Sequence, residues 1–271
     1  MTCYHSKPAW KSTLPDDNGI HHLQFKFRDD REPDYFIPCG KCLGCRGDQA
    51  RDWGIRCYHE AQMHDQNAFL TLTYDDEHLV DKINPYDPRM FIKRLRKQLK
   101  TPIRYFLCGE YGEKTKRPHY HALVFGHDFR GGRYSFSIND QLYGNKQLDD
   151  IWGKGTITAA PVTAGTAMYT AGYCAKKIGD TDTFALQSRR PPIGMSWVRK
   201  HHDNIRRIES IQVDGKQYPI PRVYLNWING IDTFQHIKEN LAAKAIARPD
   251  QVLRSKENHH KSRNNLRSHK I

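Results

Sequence analysis

The 271 residues carry 43 Lys and Arg against 30 Asp and Glu, a formal charge of +13 and a pI near 9.4, which favours a polyanion as partner over an acidic or apolar one. No apolar run approaches the roughly 20 residues needed to span a bilayer, and the first residues lack the apolar core of a signal peptide, so a soluble protein without export is expected. Seven cysteines, an odd number in such a chain, speak against a disulfide framework.

In chain order, residues 22–27 alternate like a strand, and the first sharp pattern is Cys39-x-x-Cys42-x-x-Cys45. Random placement predicts only about 0.005 such triplets in a chain of this composition, so a metal or redox role is expected. Thiolates at this spacing suit tetrahedral Zn²⁺ as a structural ion. Cys3 is the expected fourth ligand, with His5 and Cys57 behind it. A ferredoxin-type cluster would want a cysteine at position 49, where the chain has Gln49; buried or reactive thiols without metal are the remaining alternative.

Residues 46–64 read as a helix bearing Arg46, Arg51 and Arg56, and residues 68–74 as an alternating strand. A helix starts at Asp87-Pro88 and ends before Pro102; residues 103–109 and 118–126 then form a hairpin around a basic loop containing Gly112. Residues 139–152 read as helix, 156–162 as strand and 164–177 as an alanine-rich helix. Asp214-Gly215 marks a later hairpin, 231–247 a last helix, and 248–271 a disordered basic tail. The succession predicts an α+β fold, an antiparallel sheet with helices on one face and an N-terminal cysteine-rich, metal-tied extension. The expected divisions are 1–66 for that extension, 67–180 for a catalytic core, 181–247 for a helical DNA-binding extension and 248–271 for the tail.

Strand alternation puts His119 and His121 on one face and Tyr120 on the other, so two imidazoles can share a metal ion. Glu110, at the end of the preceding strand, is the expected third ligand and Glu113 the second choice; the alternative for Glu110 is a turn carboxylate pairing with Lys114 or Lys116. Two imidazoles and a carboxylate accept Mn²⁺ readily and Mg²⁺ more weakly. Spacing of four stacks Tyr169 and Tyr173 on one helix face, with Lys176 and Lys177 following to hold a phosphate or favour a phenolate. The bland alternative is a pair of amphipathic core tyrosines. Arg189 and Arg190 before Trp197, followed by Arg199, Lys200, Arg206 and Arg207, mix cations with an aromatic as single-strand grooves do, although a solvated helix face suits the downstream charges equally.

The strand Phe69-Leu-Thr71-Leu-Thr73, then His119-Tyr-His121, then Tyr169-x-x-x-Tyr173 with Lys177 resemble, in order, the three motifs of the HUH endonucleases, initiators of rolling-circle replication. Cys39-Gly-Lys-Cys-Leu-Gly-Cys45-Arg46, Arg117-Pro-His-Tyr-His121, Ser188-Arg-Arg-Pro-Pro-Ile-Gly194 and Pro219-Ile-Pro-Arg222 are similar to the replication initiation proteins of gokushovirus-type microviruses, over about residues 1–230. The resemblance implies a ferredoxin-like core that nicks single-stranded DNA at an origin. It implies a 5′-phosphotyrosine, a 3′ hydroxyl left for polymerase, and a second tyrosine that rejoins the strand. It also implies Arg117, Arg189, Arg190, Trp197 and Arg222 as DNA contacts, host helicase and polymerase as partners, and the host bacterial cytoplasm as location. By the same resemblance Tyr173 makes the first cut. The last forty residues inherit nothing from it.

Other classes fit parts of the pattern. A non-haem iron oxygenase fits residues 110–121 and leaves the tyrosines and the charge unexplained. A zinc-ribbon binding module without catalysis leaves the His-Tyr-His strand unexplained. Relaxases and transposases of the HUH type are nearer rivals, and the paired tyrosines argue against the transposases.

Overall fold

A computed structural model describes residues 3–26, 31–112, 115–135, 141–176, 184–228 and 250–268. Its contacts divide the chain into two units, one formed by the residues up to Gln49 together with the C-terminal helix, the other running from Ala50.

In the first unit β1 (Lys7–Lys11) pairs antiparallel with β2 (Leu23–Gln24) and β3 (Tyr35–Ile37). The predicted strand 22–27 is thus cut to two residues, both exposed, and Phe27 lies outside the described residues. The cysteine turn follows β3 and leads into α1 (Leu43–Ala61).

The second unit is built on β4 (Asn67–Tyr74), α2 (Tyr86–Gln98), β5 (Arg104–Tyr111), β6 (Pro118–Phe125), β7 (Arg133–Ser135), β8 (Tyr143–Asn145), α3 (Lys146–Trp152), β9 (Gly155–Ala160), α4 (Ala164–Lys176) and β10 (Ala185–Gln187). The strands make one seven-stranded antiparallel sheet in the order β10-β5-β6-β4-β9-β8-β7. Its centre, β4-α2-β5-β6-α3-β9 with spatial order β5-β6-β4-β9, is a split β-α-β arrangement. Beyond it lie α5 (Met195–Ile208), the hairpin β11 (Ile211–Val213) and β12 (Lys216–Tyr218) turned at Asp214-Gly215 as expected, and α6 (Arg222–Trp227).

Period-two alternation sorts the strand residues into two faces. On one face Leu70, Leu72, Leu107, Ala122, Val124 and Ile157 are buried under the apolar stripes of α2 (Phe91, Ile92, Leu95) and α3 (Leu148, Ile151, Trp152). This layer matches the α+β expectation. The other face is covered as well: Phe106, Leu123 and Phe125 pack with Cys57 of α1 and Ala167 of α4, so the sheet carries helices on both faces instead of one. The added layer follows from sequence, because Phe69, Phe106, Leu123 and Phe125 are apolar at the odd positions too, and such strands bury both sides.

Two expected elements change. Residues 139–152 do not form one helix: Tyr143–Asn145 is a strand, and the Asn145 side chain caps α3 by accepting from Leu148 N–H at 3.2 Å. The basic tail is not disordered over Asp250–Ser268, which forms helix α7; this stretch holds neither Gly nor Pro, and Tyr4 and His5 contact its His260 and Glu257. The expected helix 231–247 lies outside the described residues.

Gly155 fixes where β9 leaves its turn. Its φ is +138°, and a Cβ there would collide with the Thr73 carbonyl and come within 2.6 Å of Asp75 N. Gly155→Ala is expected to lower stability by about 1–3 kcal/mol, read as a shifted midpoint in denaturant unfolding.

Candidate functional site

Pairing of β5 with β6 sets Glu110 opposite His119 and Cys108 opposite His121. All four therefore face the same side of the sheet. Glu110 Oε1 lies 2.7 Å from His119 Nε2 and 2.8 Å from His121 Nε2, one oxygen serving both imidazoles. Glu110 and His121 are buried and His119 is partly so. Burial pushes the Glu110 carboxyl up, and the bonds from His119 and His121 overcome it to leave the group below the usual range. Burial holds His121 below the ordinary imidazole value, so its neutral, ligating form is favoured.

The far ring nitrogens are also engaged. His121 Nδ1 sits 3.1 Å from Thr71 Oγ1, and Thr71 is the β4 residue paired with His121. His119 Nδ1 is 3.3 Å from the Arg117 carbonyl, an acceptor that places the proton on that nitrogen. The Nε2 lone pair of His119 then points at a carboxylate oxygen, an arrangement of two acceptors that only a proton or a cation between them satisfies. Donor atoms of all three residues lie within 4.8 Å of one another, so the set fits a divalent cation with open positions left over. Glu113, the second candidate, lies outside the described residues.

Helix α4 crosses this end of the sheet. Ala167 and Ala171 are fully buried, small enough for close approach, and Cys108 Sγ donates to the Thr170 carbonyl at 3.5 Å. The next stripe of the helix then faces the imidazoles. The rings of Tyr169 and Tyr173 are 5.5 and 5.4 Å from that of His121 and 4.6 Å from each other, and Tyr173 stacks at 25°. Tyr169 remains 49% exposed, which distinguishes it from a core tyrosine. Phe69 stacks on His121 at 5.4 Å and 17°. Lys176 belongs to α4 without a described side chain, and Lys177 lies outside the described residues.

The expected DNA contacts are not gathered here. Arg117 is tied to Asp76 at 2.5 Å and to the Tyr74 carbonyl at 3.1 Å, and adjoins the site through its own carbonyl. Arg189 and Arg190 are exposed, and the Arg190 carbonyl accepts from Arg104, six residues along β5 from Glu110 and hence about 20 Å away. Trp197 stacks on His59 at 3.5 Å and His201 at 4.4 Å and donates to Gln62, so both its faces are engaged within the protein. Arg222 is exposed on α6. Sequence reasoning gave no role to Thr71 or Phe69, although both lie in the strand it singled out; only strand pairing shows which imidazole they meet.

In the first unit Cys3, Cys39, Cys42 and Cys45 also bring donor atoms within 4.8 Å of one another. Cys39 and Cys45 sulfurs are 4.0 Å apart, close to the roughly 3.8 Å edge of a tetrahedron with metal–sulfur bonds of about 2.3 Å. Backbone N–H groups of Cys39, Tyr4, Cys42 and Cys45 donate to sulfurs at 3.2–3.5 Å. Burial raises the Cys3 and Cys45 thiols. At Cys39 burial is outweighed by hydrogen bonds, including those from the Lys41 and Cys42 backbone, and the thiol falls to about 7. Of the alternative ligands, His5 pairs with Glu257 at 3.0 Å and Cys57 is buried in the core of the second unit.

A protein family described as replication-associated protein ORF2 matches residues 67–178. The replication-associated protein VP4 of Bdellovibrio phage phiMH2K is 40% identical over 212 residues, covering 71% of this chain and 67% of the relative. ORF4 of Chlamydia phage 1 is 31% identical over 77% of this chain and 56% of its own length, and ORF2 of Spiroplasma virus 4 is 32% identical over 69% and 66%; both are likewise replication-associated proteins. No solved structure matches.

The Thr71–His121 contact makes a measurable demand, because a ligating imidazole binds more weakly when its other nitrogen loses its partner. Thr71→Val is expected to lower Mn²⁺ affinity about tenfold in titration calorimetry, with Thr71→Ser near the parent and Glu110→Ala weaker than either.

Proposed function

Because the chain belongs to the replication-associated proteins of microviruses, with a role in viral DNA replication, we propose that it starts rolling-circle synthesis as an HUH-type nickase and strand transferase. The observation that carries this reading is the placement of two tyrosines, Tyr169 and Tyr173, on one helix against His121 of a Glu110–His119–His121 donor set. An oxygenase needs no such pair. A purely binding module needs neither feature.

In the proposed reaction single-stranded origin DNA enters with its scissile phosphate between the donor set and α4. A divalent cation, Mn²⁺ or Mg²⁺, held by Glu110, His119 and His121 would neutralise a non-bridging phosphate oxygen. One tyrosine oxygen attacks phosphorus, its proton leaving to water, which reaches half-exposed Tyr169; the tyrosyl O–P bond forms as the P–O3′ bond breaks, and the 3′ oxygen takes up a proton. The adduct conserves the phosphodiester bond energy, so a later 3′ hydroxyl can reverse the step. With one tyrosine holding the displaced 5′ end, the other can cut the regenerated origin. Thr71 and the Arg117 carbonyl orient the imidazoles, and Phe69 fixes the ring plane of His121. Lys176 and Lys177 remain candidates for holding the phosphate, and Arg189, Arg190, Trp197 and Arg222 for DNA contact. The reading places the protein in the host bacterial cytoplasm with host helicase and polymerase as partners. Among the described residues no helix is long and apolar enough to cross a membrane.

Tyr169→Phe and Tyr173→Phe are each expected to cut a short origin oligonucleotide once in Mn²⁺ but to fail in releasing a closed unit-length circle. The double variant should give no labelled, covalently shifted protein band; an adduct from it would assign the nucleophile elsewhere.

We further infer a structural zinc ion on Cys3, Cys39, Cys42 and Cys45, supported by the sulfur spacing and the four N–H donors. Protein purified without added metal is expected to hold about one equivalent of zinc by elemental analysis. Cys42→Ser should lose it and lower the melting temperature.

A further inference from the structure

Three consecutive residues join the cysteine cluster to α7. Cys3 contributes a sulfur; Tyr4 donates its backbone N–H to Cys42 Sγ at 3.4 Å and sets its hydroxyl 3.0 Å from His260 Nδ1; His5 pairs with Glu257 at 3.0 Å. Leu253, Glu257 and His260, spaced by four and three, therefore form the stripe on which the helix sits, and Leu253 and Glu257 are buried.

The charges on the rest of α7 are not spread evenly. Lys256, His259 and Arg263 share one stripe about 90° to one side of the seat, and Arg254 and Lys261 lie about 90° to the other. The back of the helix is neutral: Gln251, Ser255, Asn258 and Ser262. A helix charged only for solubility would place cations there. Glu257, the one acid between 251 and 268, has one oxygen on His5 and the other on Lys261 at 3.3 Å. Lys41 and Arg46 add charge beside the seat, lining with His5 and Glu257 the depression next to the cysteines.

We propose that α7 and the cysteine knuckle form a second DNA-binding surface, one that grips the phosphate backbone of duplex DNA without reading bases. Cations drawn from both ends of the chain flank the seat. The described part of α7 offers no Phe, Trp or Tyr on which an unpaired base would stack, and phosphate density is highest on a duplex. The proposal rests on the reading of the chain as a replication protein that handles DNA, and not on the tyrosine chemistry.

The test is anisotropy titration of the full chain with a random 20-base-pair duplex and its single strand between 50 and 200 mM salt. Lys256→Ala with Arg263→Ala is expected to reduce the slope of log affinity against log salt by about 2 for the duplex, with a smaller change for the single strand. His5→Ala, which frees the seat, should move the duplex slope in the same direction. Mn²⁺ affinity and single-strand cleavage should match the parent. An unchanged duplex slope in the double variant overturns the proposal, as does an equal loss on the single strand. A parent protein that forms no tyrosine adduct, yet whose duplex slope falls in the double variant, would remove the mechanism proposed above and support this surface.

Discussion

One carboxylate oxygen shared by two imidazoles sets the terms for the rest of the sheet. Glu110 and His121 are buried, and a buried carboxylate is tolerable only where its charge is met. His119 and His121 reach the same oxygen because β5 and β6 pair in a register that puts Glu110 opposite His119, with His121 two residues on along the same face. A slip of one residue would turn both imidazoles into the opposite core. Register here is therefore a chemical requirement as well as a packing one.

The opposite face guards that register. Tyr120, between the two histidines, is fully buried, and its hydroxyl lies 3.1 Å from that of Tyr74 and accepts from Asn84 N–H at 3.3 Å. Tyr74 in turn donates to Asp87 at 2.7 Å, at the start of α2. A strand carrying polar groups at His119, Tyr120 and His121 would be a poor core strand unless both faces supplied partners. Here each does, so the strand that bears the site is held from both sides.

The first unit solves a different problem. Its three short strands bury little: Ala9 is fully buried, while Leu23 is exposed and Phe36 half-buried. A small core of this kind commonly relies on a crosslink or a metal. Four sulfurs converge there with backbone N–H groups directed at three of them, and the two residues that follow Cys3 seat α7.

The sequence by itself determined much of the local structure. Alternation located β4, β5 and β6, the three-residue cysteine spacing marked one ligand cluster, and the four-residue tyrosine spacing placed both phenols on one stripe. These are short-range consequences of helix and strand periods. It misplaced what depends on distant partners. Residues 143–145 became a strand because β9 offered an edge, and Asn145 then served as a cap. Phe69, Phe106 and Leu123 drew a second helical layer onto the sheet. Residues 250–268 became a seated helix because Tyr4 and His5 lay in reach. Tertiary structure alone decided that Thr71 meets His121, that Trp197 is engaged between His59 and His201, and that Tyr169 and Tyr173 lie against His121. Those contacts depend on strand register and on the close approach that Ala167 and Ala171 allow, and no spacing along the chain encodes either distance.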